Sequence, residues 1–153
     1  MQSQEPRPVI PALGSFYKIA PDLSYLLIRV SAGGLLLAHG IIKVMTTTVA
    51  AHSAAALARR GIEPALPLTY FIWFLETVGA VCLILGLFTR FFAAAIAIEL
   101  AVITFVASWH NGFAFSSPGG GWEFPFLWGL VVFAIALRGG GPYSLDRKIG
   151  REL

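Results

Sequence analysis

Hydrophobic residues in this chain fall into four long runs, each bounded by charges or turn formers. The runs cover residues 25–45 (YLLIRVSAGGLLLAHGIIKVM), 68–88 (LTYFIWFLETVGAVCLILGLF), 91–109 (FFAAAIAIELAVITFVASW) and 124–137 (FPFLWGLVVFAIAL). A helix that crosses a bilayer needs about 20 such residues, with a range of about 17 to 25. The fourth run reaches that length only when Gly121, Trp122, Glu123 and the stretch from Arg138 to Gly140 sit at the two interfaces, which puts its bounds near 122–139. No run alternates strictly and all are too long for barrel strands. The pattern therefore predicts helices, which satisfy their own backbone in lipid. The expected fold is an all-α membrane protein, a four-transmembrane-helix bundle over residues 23–140.

Composition agrees. The chain of 153 residues is 57% hydrophobic and 12% charged, against about 25% charged in a soluble domain. Mean hydropathy is +0.76. The start of the chain is polar and contains prolines, so no cleavable signal is expected and the first span serves as its own insertion signal. The lone Cys82 lies mid-span and reads as a packing residue.

With four spans, both ends of the chain share a side with the tight connection "GLFTRFF". That side carries Arg7, Lys18, Arg90, Arg138, Arg147, Lys148 and Arg151; the other carries Lys43, Arg59 and Arg60. The positive-inside rule makes both termini cytoplasmic. The basic pI of 9.4 then reflects topology, and no nucleic-acid partner is expected. Residues 1–22 become an N-terminal cytoplasmic segment. Residues 141–153 read as an amphipathic tail on the headgroups, with Ser144 as a cap. The alanine-rich stretch 49–60 predicts a short outer helix ended by Gly61, Pro64 and Pro67.

Ionisable residues inside spans cost a few kcal/mol each and need a reason. At about 1.5 Å per residue, His39 lies roughly 9 Å inside the outer end of helix 1 and Lys43 about 3 Å, with Glu76 and Glu99 roughly 12 and 15 Å deep. Together with Trp109, His110 and Asn111 at the outer rim, they compose a candidate ligand-binding set opening outward. Glu99 and His110, eleven apart, fall within about 20° of one another on a regular helix. Arg29, deeper in helix 1, is assigned to a structural ion pair with Glu76 or Glu99. Plainer readings stand beside these: Lys43 snorkelling to headgroups, Glu123 as a helix-start acid, Trp109, Trp122, Phe124 and Trp128 as an aromatic belt, and Gly33, Gly34, Ala38 and Gly40 as close-packing residues.

The segments LIRVSAGGLLLAHGIIKV, FLETVGAVCLILGLFTRFFAAAIAIELAV and NGF…GGGWEFPFLWGLVVFAIALRGGGPYSLDR resemble the DoxX family of bacterial membrane proteins. The likeness runs from about Asp22 to Arg147; the N-terminal twenty residues and the alanine-rich loop lie outside it. It implies a multi-pass protein of the bacterial inner membrane, associated with quinone-linked and thiol or oxidative-stress oxidoreductase systems. It also implies that Arg29, His39, Lys43, Glu76, Arg90 and Asn111 occupy recurrent polar positions.

Four functions fit the residues. The first is an accessory subunit of a redox complex, offering a quinone pocket near the outer leaflet. There His39 or His110 would donate to a carbonyl, Lys43 would stabilise negative charge, and Glu76 or Glu99 would relay protons. The chain has no cysteine cluster and no dinucleotide glycine motif, so it is not expected to catalyse alone, and a protein partner must supply electrons. The second is a haem carrier with His39 and His110, both near the outer ends of their helices, as axial ligands. The third is a non-catalytic anchoring subunit of a larger membrane assembly. The fourth is a transporter; the chain has no inverted repeat, which a homo-oligomer would have to supply. No metal site and no covalent cofactor are expected.

Overall fold

The computed structural model describes residues 9–46 and 49–152. The expectations for Arg7 and the rest of residues 1–8 lie outside the described residues. A 3-10 turn at Pro11–Leu13 leads into α1, Gly14–Met45. Next come α2, Val49–Ala58, and α3, Ala65–Leu85. Then follow α4, Thr89–Asn111, α5, Glu123–Arg138, and α6, Leu145–Ile149. No strand occurs among the described residues. Pro11–Met45, α3 and α4 are long and apolar enough to cross a membrane. At 16 residues, α5 falls short of a full span without its flanks.

α3 and α4 form a hairpin; α1 packs chiefly on α3 and α5 chiefly on α4, while α1 and α5 meet only weakly. The core is built from Ala32, Leu75, Leu83, Ala93, Ile96, Val132 and Ile135, all at most 2% exposed. Large apolar side chains also point outward, among them Leu27, Ile98, Phe133 and Leu137. Such a belt needs lipid around it, and the protein is a multi-pass membrane protein in contact with lipid.

α1 begins at Gly14, whereas the hydropathy pattern starts the span at residue 25. Phe16, Ile19, Ala20 and Leu23 keep a helical apolar stripe that leads into Leu27, and Pro21 interrupts only one backbone bond. Most of the expected N-terminal segment that can be described is thus helix.

The end of the bundle bearing the α3–α4 turn is stapled by the C-terminal tail. Gly86 and Phe88 adopt left-handed backbone, with φ of 69° and 48°. Asp146, only 4% exposed, accepts from Phe88 N at 2.7 Å, Thr89 N at 2.9 Å and Thr89 Oγ1 at 2.7 Å, capping the start of α4. Arg29, 1% exposed, donates to Leu83 O at 2.8 Å and Ile84 O at 3.3 Å, the last carbonyls of α3, and to Tyr143 O in the tail. A Cβ on Gly86 would collide with the Arg29 guanidinium, so this turn needs glycine for space as well as for φ. Arg90 donates to Ala136 O and Leu137 O, closing α5, and pairs with Glu152 at 3.1 Å. The tail expected to float on headgroups is therefore docked under the bundle. Arg90 serves as a helix C-cap.

Candidate functional site

At the opposite end, between the weakly touching α1 and α5, lies a cavity of about 380 Å³. Its walls are Ala32, Leu35 and Leu36 of α1 and Phe124, Trp128 and Val132 of α5. Its polar pole is His39, Lys43 and Glu76. Phe115, Gly120 and Gly121 lie over it, from the loop between α4 and α5.

Lys43 Nζ donates to Glu76 Oε1 at 2.5 Å; the lysine side chain is 29% exposed and the glutamate 6%. Glu76 belongs to a π-helical stretch, Leu75–Gly79, inside α3. Such widened turns recur at functional sites because they turn a side chain out of the regular register. The two helices touch closely beside it: a Cβ on Gly40 would lie 2.5 Å from Glu76 O. Gly33 packs on α3 in the same way, whereas Gly34 faces open space and Ala38 is exposed.

Behind this pair sits Glu99, 7% exposed, whose carboxyl has no partner other than the carboxyl of Glu76. The charges that act on it are those of Glu76 and Lys43. Glu76 Oε2 likewise has no other partner, and Trp73 Nε1 is buried with none. Among the described residues the only other such atom is Arg29 Nε. Buried polar atoms are normally paired. Two neighbouring carboxyls that share a single ammonium suit a place where protons are held and passed.

The loop over the cavity is held by its backbone. Asn111 Nδ2 donates to Gly119 O at 2.9 Å and Gly120 O at 3.0 Å. Glu123 Oε1 accepts from Phe115 N at 2.6 Å, and Trp122 N and Glu123 N donate to Gly112 O and Phe113 O. Trp109 stacks on Trp122 with ring centroids 5.1 Å apart. Asn111 thus positions the roof and does not line the cavity.

A DoxX family profile matches residues 24–109, a little over half of the chain. The chain belongs to the DoxX family. In this DoxX protein the matched region carries the whole polar pole and Glu99, while α5, the roof loop and the tail lie beyond it. No curated protein and no solved structure matches the chain.

Of the expected ligand-binding set, the structure brings His39, Lys43 and Glu76 to one cavity and Glu99 to its buried side. Trp109 and His110 are exposed and outside it. The reason is local: Ile103–Ser108 is π-helical, and the extra residue per turn displaces the residues beyond it by about 100° from the regular helical phase. Glu99 and His110 then no longer share a face. The expected Arg29–Glu76 pair is not formed. Arg29 lies one end away, bound to the carbonyls of Leu83 and Ile84, and Glu76 takes Lys43 instead.

Phe115, Phe124, Trp128 and Ser108 line the cavity without having stood out as site residues. Aromatic residues near a span end signal only an interfacial belt, so nothing local separates a cavity wall from that belt. Asp146 was also missed as a structural residue. Its signal is faint: one of two acids in a basic tail, two residues after the cap Ser144.

Proposed function

We propose that this DoxX protein is an accessory membrane subunit of a quinone-linked oxidoreductase complex, and that the α1–α5 cavity receives a quinone. The carrying observation is the cavity itself: apolar and aromatic walls on two helices, with one polar pole of His39, Lys43 and Glu76. A quinone needs an apolar slot for ring and chain, donors for its carbonyls and a group that exchanges protons. His39 would donate to one carbonyl and Lys43 would stabilise the negative charge of reduction. Glu76 with Glu99 would pass the proton. Electrons come from a partner protein.

The cytoplasmic assignment of both chain ends follows the basic residues. Arg90, Arg138, Arg147, Lys148 and Arg151 gather at the tail end, against Lys43, Arg59 and Arg60 at the loop end. The cavity then lies at the outer leaflet of a bacterial inner membrane, with α5 and its flanks as the fourth span. The test is quinone retention by the purified protein. His39→Ala is expected to lose the retained quinone while keeping the wild-type denaturation midpoint; full retention would put the ligand elsewhere.

A further inference from the structure

A second cavity, of about 410 Å³, opens at the tail end between the last turn of α5 and α6. Arg138, Arg147 and Arg151 line it. The two acids beside them are already committed. Asp146 caps α4 through Phe88 and Thr89. Glu152 accepts from Gly140 N at 2.7 Å and pairs with Arg90. Arg138 lies over the Tyr25 ring, 4.1 Å from its centroid, which orients the guanidinium without neutralising it. Arg147 and Arg151 are exposed and make no ion pair with a described residue. Three guanidinium groups thus share one concavity with Asp146 and Glu152, and neither acid makes an ion pair with any of the three.

Depth identifies the occupant. Tyr25 and Lys43 are eighteen residues apart on one helix, about 27 Å, close to the roughly 30 Å of a hydrocarbon core. With Lys43 taken at one interface, Tyr25 and Arg138 over it fall at the other. Leu137 and Ile149 flank this level at 64% and 59% exposed. A cationic groove with apolar flanks at headgroup depth fits a phosphate that carries acyl chains better than a phosphate free in water.

We propose that Arg138, Arg147 and Arg151 form a binding site for the headgroup of an anionic phospholipid. The site holds the lipid phosphate between guanidinium groups and lays an acyl chain along Leu137. It is independent of the quinone cavity at the other end.

The test uses the full chain in detergent, equilibrated with equal amounts of phosphatidylglycerol and phosphatidylcholine, and counts retained lipids by native mass spectrometry. Wild type is expected to retain phosphatidylglycerol with a preference of about fivefold for each arginine engaged. The double variant Arg147→Gln/Arg151→Gln is expected to fall to about fivefold, the share of Arg138 alone, at an unchanged denaturation midpoint. Arg147→Lys/Arg151→Lys, which keeps the charge but not the forked geometry, is expected to fall between the two. Parity in wild type overturns the site, as does an undiminished preference in the glutamine variant. A lysine variant equal to wild type reduces it to a general positive surface. Displacement of the retained lipid by millimolar inorganic phosphate alone overturns the lipid assignment.

Discussion

Asp146 at the tail end is 4% exposed, and both its carboxylate oxygens accept from N–H or O–H donors; Glu99 toward the loop end is 7% exposed, and its carboxyl meets only the neighbouring carboxyl of Glu76. The same contrast runs through their neighbours. Arg29 ties α1 to the end of α3 and to the tail, and Arg90 closes α5. At the cavity, Lys43 holds one oxygen of Glu76 and leaves the other beside Glu99. Burying a polar group stabilises a fold only when its partners are supplied. The tail-end cluster is therefore built for stability. The loop-end cluster carries a cost that stability does not explain, which is the pattern expected of a site.

Removing members of each cluster should separate the two roles. The largest loss is expected for Asp146→Ala, which strips the cap from α4 and three hydrogen bonds from the turn. We expect about 3 kcal/mol and a fall of about 6–12 °C in the denaturation midpoint, with quinone retention per folded molecule unchanged. A midpoint near wild type would mean that the tail is not a staple.

Gly40→Ala comes next. Its Cβ would collide with the backbone of Glu76, so α1 must shift off α3, at a cost of about 2 kcal/mol. Here ligand retention should fall as well, because Lys43 and Glu76 are carried apart. Stability loss with intact retention would detach the cavity from the α1–α3 contact.

Double-mutant cycles test the pairing itself. Lys43 and Glu76 should show a coupling of about 1–2 kcal/mol, whereas Arg29 and Glu76 should be additive within about 0.5 kcal/mol. Coupling in the second cycle would restore the pair that the sequence suggests.

Glu99→Met should go the other way and stabilise the protein by about 1 kcal/mol, since an apolar side chain relieves a carboxyl buried beside a second one. If the cavity takes a quinone as proposed, the variant should also slow the reduction of added quinone. A destabilised Glu99→Met would mean that this carboxyl is structural after all.

The smallest effect on stability belongs to Asn111→Ala, below about 1 kcal/mol. Its signature is local: limited proteolysis should cut the loop 112–121 faster, and quinone should dissociate sooner.

How much of this was legible in sequence varies with the distance between partners. The helices were, because bilayer width imposes a length that any apolar run displays. His39 and Lys43 were, since they sit four apart on one helix within an apolar run, as was the burial of Glu76 and Glu99. The partner of Glu76 was not. Arg29 and Lys43 both lie on α1 as candidate cations, and only the packing of Gly40 on α3 puts Lys43 within reach. The phase of His110 was hidden for a different reason. A regular helix would keep it in register with Glu99, and the π-helical stretch Ile103–Ser108 that breaks the register carries no local sequence signal.

The amino-acid sequence by itself determined the membrane class, three helical spans and the family, together with the presence of charged groups where lipid would not tolerate them idle. These properties rest on composition and on periodicity within single segments. Tertiary structure alone decided which cation meets which carboxyl, that the C-terminal tail locks the α3–α4 turn, and that Phe124 and Trp128 wall a cavity. Each of those depends on residues from different helices coming within a few ångströms, and only the packed bundle sets such distances.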